Sequence, residues 1–281
     1  MAYTNNETLM EQNVFQLPML TANDAEFSKD DLAEDRDGMQ LSLPRVKIPS
    51  GGALQFELPG SDPENPDYAK TLEGVILFQH AACAYWQEGS EYDDNATPLC
   101  SSVDGKVGIG TPGGTCASCE FNQFRSASDG KAKACKNMRH LYLLRSGDYI
   151  PLQVVLPPTS LRPYQDFYNL AFALRNRAIY GSVVQIGLKR ADNGTNIYSV
   201  ATFKKLYDFT GEQLAQITEV ATQFREQIKM MLQQRAADSE TRTEAESMYD
   251  YDSRYSTMEN GEHFAISGPG TIDGERESLP A

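Results

Sequence analysis

The chain has 281 residues, 40% of them hydrophobic, and a formal net charge of -14. This length allows one domain with tails or two small domains, and the apolar fraction predicts a folded core. No segment approaches the roughly 18 apolar residues of a membrane-spanning helix, and the first residues lack the basic and apolar stretches of a signal peptide. We therefore expect a protein of the cytoplasm.

The charge is distributed unevenly along the chain. Residues 1–68 carry 13 acidic and 4 basic side chains, and residues 233–281 carry 11 acidic and 4 basic ones. Residues 125–205 instead hold 13 Lys and Arg against four Asp. The sequence thus predicts a basic core between acidic ends. We expect 1–68 to form a largely flexible acidic arm, with 44–60 as a candidate extended segment packed on the edge of the domain, and 236–281 a disordered acidic tail.

Ordered structure is predicted from about residue 69. A run rich in β-branched and aromatic residues predicts a strand at 72–86. Two further runs predict strands at 138–145 and 149–157, joined by a tight hairpin turn at 146–148.

The second half of the chain predicts two helices and a hairpin. Apolar residues at helical spacing predict a helix that begins at Ser160 and ends at Gly181. Alternating runs on either side of Asn193-Gly194 predict a β-hairpin. A capping box predicts that the last helix begins at Thr210, with its body at about 211–232. One face of this helix is predicted to be apolar and contains Leu214, Ile217, Ala221, Phe224, Ile228 and Met231.

Without the cysteine-rich region and the last helix, the predicted order is β-β-β-α-β-β. This is the order of the OB-fold, a small Greek-key barrel that binds oligonucleotides. We therefore predict an α+β domain, mainly β, over 69–235, with an OB-like barrel, an insertion at 100–135 and flexible acidic arms on both sides.

The insertion carries four cysteines with metal-ligand spacing. Cys116 and Cys119 form a Cys-x2-Cys pair after two glycines, and Cys100 and Cys135 lie at equal distances on either side. Four thiolates around Zn²⁺ form a closed tetrahedral site, which is structural and not catalytic. The sequence predicts one structural zinc per chain, because free core cysteines do not cluster in Gly/Ser-rich loops and no thioredoxin-like unit surrounds the pair. Whether His80, Cys83 or His140 replaces one cysteine stays open.

Basic and aromatic residues interleave from the insertion onward. A single strand of nucleic acid is bound by cations along its backbone and by flat rings that stack on its bases. The candidate nucleic-acid-binding residues are Phe121, Phe124, Arg125, Lys131, Lys133, Lys136, Arg139, Tyr142, Tyr149, Arg175, Arg177, Lys189, Arg190, Tyr198, Lys204 and Lys205.

The segments PLCSSVDGKVG, CASCEFNQF and GKAKACKNMRHLYLL, followed by VVLPPTSL, resemble a recurrent prophage protein type. With the cysteine array, the element order and the acidic ends, residues 70–232 resemble the zinc-containing single-stranded DNA-binding proteins of bacteriophages and mobile elements. The resemblance implies an OB-fold, a structural zinc insertion and an acidic C-terminus that recruits replication and recombination proteins. The all-cysteine site departs from the mixed His/Cys site of the best-known phage member.

We therefore expect a non-enzymatic protein that binds single-stranded DNA, or RNA, without strong sequence preference and that serves replication or recombination. No phosphate loop, His-rich nuclease motif or paired nucleophile and base is visible in the sequence. The alternative function is a zinc-stapled adaptor that binds, or inhibits, a host protein.

Overall fold

A computed structural model of the chain describes residues 15–17, 43–62, 64–86 and 97–241. Within these ranges the protein is a mixed α/β structure, mostly sheet, with two α-helices. The strands are β1 (Arg45–Lys47), β2 (Phe56–Asp62), β3 (Asn65–Ala69), β4 (Leu72–Tyr85), β5 (Cys100–Ser102), β6 (Val107–Gly110), β7 (Gly114–Thr115), β8 (Lys136–Leu144), β9 (Leu152–Leu156), β10 (Ser182–Asp192) and β11 (Ile197–Asp208). The helices are α1 (Pro158–Ala171) and α2 (Gly211–Thr241).

The long strand β4 organises the sheet because it has different partners along its length. Its first residues, 72–74, pair with β10, most of its length pairs with β8, and residues 83–85 pair with β5. The sheet runs β1-β9-β8-β4-β5-β6-β7, with β11 attached through β10, while β2 and β3 form a separate pair. Among the described residues these pairings do not close into a ring.

Both faces of β4 are buried, which explains its nearly continuous apolar sequence. Leu72 and Ile76 belong to a core cluster that includes residues of α1. Val75 and Leu77 belong to a second cluster that includes residues of α2. The sheet is therefore a middle layer between two helices, and each fully buried aliphatic side chain contributes roughly 1.5–3 kcal/mol to folding.

Helix α1 begins two residues before the predicted start and is shorter than predicted. Ser160 is buried, and its Oγ accepts a hydrogen bond from the Ala201 N–H at 3.0 Å, which fixes α1 to β11. The helix ends at Ala171, so the predicted continuation to Gly181 is wrong. The chain instead forms two short 3-10 turns separated by Asn176, which adopts a left-handed φ of 49°.

Helix α2 lies across the opposite face of the sheet. The predicted apolar stripe is confirmed, since Ile217, Ala221 and Ile228 are all buried. The ring of Phe224 makes an edge contact with Tyr142 of β8, at 5.3 Å between centroids. The helix continues to residue 241, so residues 236–241 do not belong to a disordered tail. The rest of the predicted tail lies outside the described residues.

No helix in the described part of the chain is both long enough and apolar enough to cross a membrane.

Part of the predicted N-terminal arm belongs to the folded structure, because apolar residues within it reach the core. Phe15 packs edge-on against Phe209, and its N–H donates to the hydroxyl of Tyr207 at 3.0 Å. Val46 of β1 and Phe56 of β2 are fully buried. The flexible arm is therefore wrong around Phe15. The segment 44–60 forms β1 and most of β2, in agreement with the extended segment expected there, while 1–14 and 18–42 lie outside the described residues.

One predicted hairpin is confirmed, and the other contains the predicted turn within a longer connection. Strands β10 and β11 pair in register around 193–196, where the Asn193 side chain accepts the N–H groups of Thr195 and Asn196. Strands β8 and β9 also pair antiparallel, but residues 145–151 separate them. The predicted tight turn is present within this segment, because the Asp148 N–H donates to the Arg145 carbonyl at 3.2 Å. The connection is nevertheless seven residues long, because β9 begins at Leu152 and not at residue 149.

The two described histidines face each other across β4 and β8, with ring centroids 5.0 Å apart. His80 bonds the Tyr142 hydroxyl through Nε2 at 2.9 Å and the Ala81 carbonyl through Nδ1. Gln153 donates to Nδ1 of His140 at 2.8 Å. Burial, with His80 and then Arg45 nearby, lowers the pKa of His140 to about 3.

We expect this pair to make folding sensitive to mild acid. The folded pKa of His140 lies below the unfolded value of about 6.5, so the unfolded chain takes up the proton first as pH falls. The stabilisation from the neutral ring is complete above about pH 7 and should fall by about 2 kcal/mol by pH 5. Denaturant unfolding at pH 7 and pH 5 measures this loss.

The pKa of His80 is also lowered, chiefly by burial, and contributes in the same direction. His140→Gln should therefore flatten the pH dependence without removing all of it. If the free energy of unfolding of His140→Gln fell with pH as steeply as that of the wild type, the buried ring of His140 would not be the source of the pH dependence.

Candidate metal centre and nucleic-acid interface

The four predicted cysteine ligands come together, and Cys83 joins them. Cys83, Cys100, Cys116, Cys119 and Cys135 are all free thiols, and all line one cavity. The cavity measures about 10 Å³, which is roughly the space of a single water-sized atom. Cys83 and Cys135, which are 52 positions apart in the sequence, thus line the same cavity.

One wall of the cavity is a face of the sheet. In the antiparallel pairing of β4 and β5, Cys83 is opposite Ser102 and Tyr85 is opposite Cys100. Because side chains alternate along a strand, these four residues share one face. Ser102 is buried and its Oγ donates to Asp104 Oδ1 at 3.1 Å.

The opposite wall is a glycine-rich knuckle built on β6 and β7. Gly113 and Gly114 have φ of 71° and 76°, a conformation that favours glycine. The Gly113 N–H bonds the sulfur of Cys100, and the Cys116 N–H donates to the Lys106 carbonyl at 2.8 Å. These backbone bonds place the Cys-x2-Cys pair over the sheet.

The segment after the knuckle returns to the sheet through an aromatic stack. Phe121 lies on Tyr85 with ring centroids 4.4 Å apart and an interplanar angle of 17°. The Cys135 N–H donates to the Phe121 carbonyl at 2.8 Å. The stack therefore fixes the position from which Cys135 enters the cavity.

The thiols of the cluster are crowded into a partly buried space, and this shifts their pKa values. Burial raises the pKa of Cys100 and of Cys116. Cys83 donates a hydrogen bond to Cys135, which raises the pKa of the Cys83 thiol and lowers the pKa of Cys135. Neutral thiols are favoured until a cation offsets the cost of several negative sulfurs.

The cluster has the donor chemistry of a soft-metal site, but not its finished geometry. Among the described side chains, no group of three or more His, Cys, Asp or Glu is arranged to hold an ion as it stands. Zinc holds sulfur at about 2.3 Å, so binding would require the thiols to turn toward a common centre. Gly108 leaves them room, because a Cβ there would lie 2.9 Å from the sulfur of Cys100 and 3.7 Å from that of Cys116.

The histidines are not part of this cavity. His80 and His140 do not line it, and their hydrogen-bonded ring nitrogens contact Ala81, Tyr142 and Gln153. Of the three possible substitutes for a cysteine ligand, only Cys83 reaches the cluster.

Five of the candidate nucleic-acid-binding residues form an exposed group beside the cavity, which we call the loop patch: Phe124, Arg125, Lys131, Lys133 and Lys136. Phe124 is 76% exposed, and Lys133 Nζ lies 5.1 Å from the centre of its ring. Lys133 also donates to Asn122 Oδ1 at 3.2 Å, and Asn122 in turn donates to the Cys116 carbonyl at 2.7 Å. The exposed ring is thereby tied to a cysteine of the cluster.

A second basic group, the hairpin patch, contains Lys189, Tyr198 and Lys204 on one face of β10 and β11. Arg190 is on the other face, where its Nε donates to the Gly52 carbonyl at 3.3 Å. The two patches are attached to opposite ends of β4. Strand β10 pairs with residues 72–74, whereas the cysteine cavity begins at residue 83. The basic segment that looks continuous in the sequence is therefore two groups in the fold.

Several other candidates have roles inside the protein. Tyr142 is only 2% exposed, and Phe121 is stacked on Tyr85, so we remove both from the nucleic-acid surface. Arg139 donates to Gln79 at 2.9 Å, and Arg177 binds two backbone carbonyls and Asp208. Lys205 is also paired with Asp208. The remaining two, Tyr149 and Arg175, are exposed but belong to neither patch.

Sequence reasoning missed Asn122, Asp104 and the Tyr85–Phe121 stack. Asp104 Oδ1 accepts the N–H groups of Lys106 and Val107, which shapes the turn between β5 and β6. An Asp followed by Gly signals such a turn. Nothing in the sequence signals that Asn122 reaches back to Cys116, because this contact depends on the folded loop.

No protein-family model, curated protein or solved structure matches the chain.

Gly108→Ala should damage the cluster directly. The added methyl would stand 2.9 Å from the Cys100 sulfur, so that side chain must shift, at a cost of roughly 1–3 kcal/mol. We expect lower metal content in the purified protein, measured by elemental mass spectrometry, and a lower midpoint of denaturant unfolding. Gly187→Ala is the control, because its new Cβ meets only the Thr202 hydroxyl at 3.0 Å and a Thr71 methyl. If both variants contained the same amount of metal, a side chain at residue 108 would not disturb the Cys100 sulfur as the distances indicate.

Proposed function

We propose that the protein binds single-stranded nucleic acid, with single-stranded DNA as its main ligand, through the loop patch. The observation that carries this proposal is the exposed ring of Phe124 with cations around it. The side chain of Phe124 is 76% exposed, so its ring offers a base a stacking surface. Such stacking contributes roughly 1–3 kcal/mol per base and tolerates any sequence.

The cations of the loop patch support this use. Within the described ranges, Arg125, Lys131, Lys133 and Lys136 have no carboxylate partner within 4.0 Å. Asp129, the acid in their loop, accepts the N–H groups of Lys131 and Ala132 through Oδ1. These positive charges are therefore not neutralised by an ion pair within the described residues, which leaves them to attract phosphates. Lys133 and Lys136 also donate to oxygen atoms of the loop, Asn122 Oδ1 and the Lys133 carbonyl.

The backbone conformation of Arg125 also supports a functional role for the loop patch. Its φ is 76°, a conformation that side chains other than glycine rarely adopt. The Arg125 N–H donates to the Ala132 carbonyl at 3.0 Å, so the loop holds the residue there. Strained positions of this kind concentrate at functional sites.

We further propose that the cysteine cluster binds one structural zinc ion through Cys100, Cys116, Cys119 and Cys135. The convergence of the thiols, the Gly108 clearance and the Gly113 N–H bond to sulfur support this assignment. Zinc would supply the stability that the cysteine-rich loop lacks, since few of its residues are buried. The link from Cys116 through Asn122 to Lys133 would then make the order of the loop patch depend on the metal.

An OB-like arrangement is also part of the proposal. Strand β4 pairs with both β8 and β10, β8 pairs with β9, and β10 pairs with β11, while α1 connects β9 to β10. These connections support a partly open OB-like barrel. The edge of β9, where a barrel would close, is instead occupied by the parallel strand β1. A role in phage or mobile-element replication or recombination, with partners bound by the acidic tail, rests on the sequence resemblance.

A zinc-stapled adaptor that binds or inhibits a host protein is the second candidate function. It is favoured by Leu170 and Leu174, which are 61% and 76% exposed near the end of α1. Salt distinguishes the two functions, because nucleic-acid affinity falls steeply with salt and apolar docking does not.

The test is fluorescence anisotropy of a labelled single-stranded oligonucleotide, titrated at two salt concentrations beside its duplex. Phe124→Ala should weaken single-strand binding roughly 5- to 100-fold, because a stacking ring is lost. Leu174→Ala is the matched control, since Leu174 is equally exposed but lies on another element. Equal affinities of the two variants would remove Phe124 from the interface.

Changing Lys131, Lys133 and Lys136 together to Ala should instead reduce the salt dependence. The slope of log affinity against log salt should fall by about 2 if three phosphate contacts are lost. An unaltered slope, with the protein folded, would place the phosphates elsewhere. Absence of any salt-sensitive binding by the wild-type protein would favour the adaptor.

Zinc content tests the metal assignment separately. Cys119→Ser should drop bound zinc well below one equivalent and lower the unfolding temperature, because three thiolates remain. Cys83→Ser should retain about one equivalent, since Cys83 is outside the proposed ligand set. If Cys83→Ser lost the zinc and Cys119→Ser retained it, Cys83 would replace Cys119 as the fourth ligand.

A further inference from the structure

Residues 15–17, which we call the docked segment, are held in the folded domain by apolar anchors. The ring of Phe15 is only 7% exposed and makes an edge contact with Phe209, with 5.7 Å between ring centroids. Leu17 packs against the same core cluster that contains Phe15. A buried aromatic side chain is the kind of anchor that contributes most to binding between proteins.

The backbone of the docked segment is recognised as well. The Phe15 N–H donates to the Tyr207 hydroxyl at 3.0 Å, and the Gln16 N–H donates to Ser146 Oγ at 2.9 Å. The Gly147 N–H donates to the Gln16 carbonyl at 3.1 Å. Apolar anchors combined with main-chain hydrogen bonds are a usual means of binding a short peptide. The residues that make these contacts form what we call the docking site: Ser146, Gly147, Tyr207 and Phe209.

The connection from the docked segment to the sheet is far longer than its own docking site requires. It comprises the 25 residues 18–42. On one side of it Gln16 is bonded to Gly147, and on the other side the Pro44 carbonyl accepts the Gln153 N–H at 2.8 Å. Because residues 147 and 153 are six positions apart, these two anchor points lie within roughly 20 Å of each other. A connection of this length spans roughly 80–90 Å when fully extended, which is enough to reach a second molecule.

We propose that the docking site also binds the docked segment of a second copy of this chain, so that two molecules exchange their segments. The contacts of the docked segment are the same in either arrangement, because the two copies are identical. Exchange of an identical element is therefore a low-cost route to a dimer. A foreign peptide would need its own match to the docking site, whereas a second copy already carries one.

The molecule's own segment competes with that of a second copy. A tethered segment has an effective concentration on the order of millimolar at its own site, so wild-type copies should exchange only near that concentration. A copy whose site is empty accepts a segment at much lower concentration, because nothing has to be displaced. Exchange in both directions gives a two-fold dimer that carries two loop patches. Only the pairing of loop patches rests on the nucleic-acid binding proposed above.

The experiment mixes two full-length variants and needs no nucleic acid. Phe15→Ala leaves the docking site intact but removes the anchor of its own segment. A double variant, Ser146→Ala with Tyr207→Phe, keeps its segment but loses two hydrogen-bond partners at the site. The segment of the double variant should therefore move to the empty site of Phe15→Ala. In sedimentation velocity, the equimolar mixture should form dimers at a concentration at least about tenfold below that of the wild-type protein.

Two controls separate segment exchange from other association. The double variant that also carries Phe15→Ala should not pair with Phe15→Ala, because neither partner then has an anchor. Tyr68→Phe removes the hydroxyl of an exposed tyrosine on β3, outside the docking site, and its mixture with Phe15→Ala should associate as weakly as the wild-type protein. If Phe15→Ala lacks the near-ultraviolet circular dichroism of the wild type, Phe15→Leu takes its place, with the same expected result.

A labelled peptide of residues 10–20 tests the docking site alone. It should bind Phe15→Ala in fluorescence anisotropy, and the peptide with Ala at position 15 should bind at least about tenfold more weakly, because the buried ring is lost. A mixture that stays monomeric, or dimers that persist without either anchor, would overturn the exchange between copies. Peptide binding without any dimer would overturn it too and would leave the docking site to a foreign segment. Oligonucleotide binding is measured separately, so its failure and the failure of the exchange are distinct results.

Discussion

The candidate site depends on one contact, in which five cysteine thiols pack together against the end of the β4–β5 strand pair. The loop between β5 and β8 buries few apolar side chains, so ordinary core packing cannot hold it. It is held instead by the cysteine cavity, by the Tyr85–Phe121 stack and by backbone bonds to the knuckle. Whatever stabilises or removes that sulfur cluster must also affect the exposed residues that the loop presents.

Much of the secondary structure could be predicted because local signals determine it. The apolar period of α2 and the Asn193-Gly194 turn each specify one local conformation, and both are confirmed. The convergence of Cys100, Cys116, Cys119 and Cys135 followed from spacing, because a Cys-x2-Cys pair fixes two sulfurs on one turn. The ends of α1 were predicted less well, since Gly181 is preceded by short 3-10 turns that carry similar apolar residues.

The remainder depended on contacts that are distant in sequence. Cys83 resembled an ordinary strand residue until the pairing of β4 with β5 placed it on the same face as Tyr85 and Cys100. Tyr142 resembled a surface ring, but α2 covers that face of β8. The segments around Phe15 and Phe56 are surrounded by acidic sequence, yet each has an apolar residue that finds the core. Because composition averages over many residues, it does not reveal single apolar residues that pack in the core, and it therefore predicted a flexible N-terminal arm.

The parallel pairing of β1 with β9 has a consequence for self-association. Strand β9 is almost entirely apolar, with Leu152, Val154 and Leu156 buried, and one of its edges would otherwise present unpaired N–H and C=O groups. An open apolar edge is a template on which another chain can add a strand. With only three residues, β1 occupies that edge and places Arg45 and Lys47 at the new border of the sheet. Short edge strands with charged side chains are a general means by which proteins block the addition of further strands.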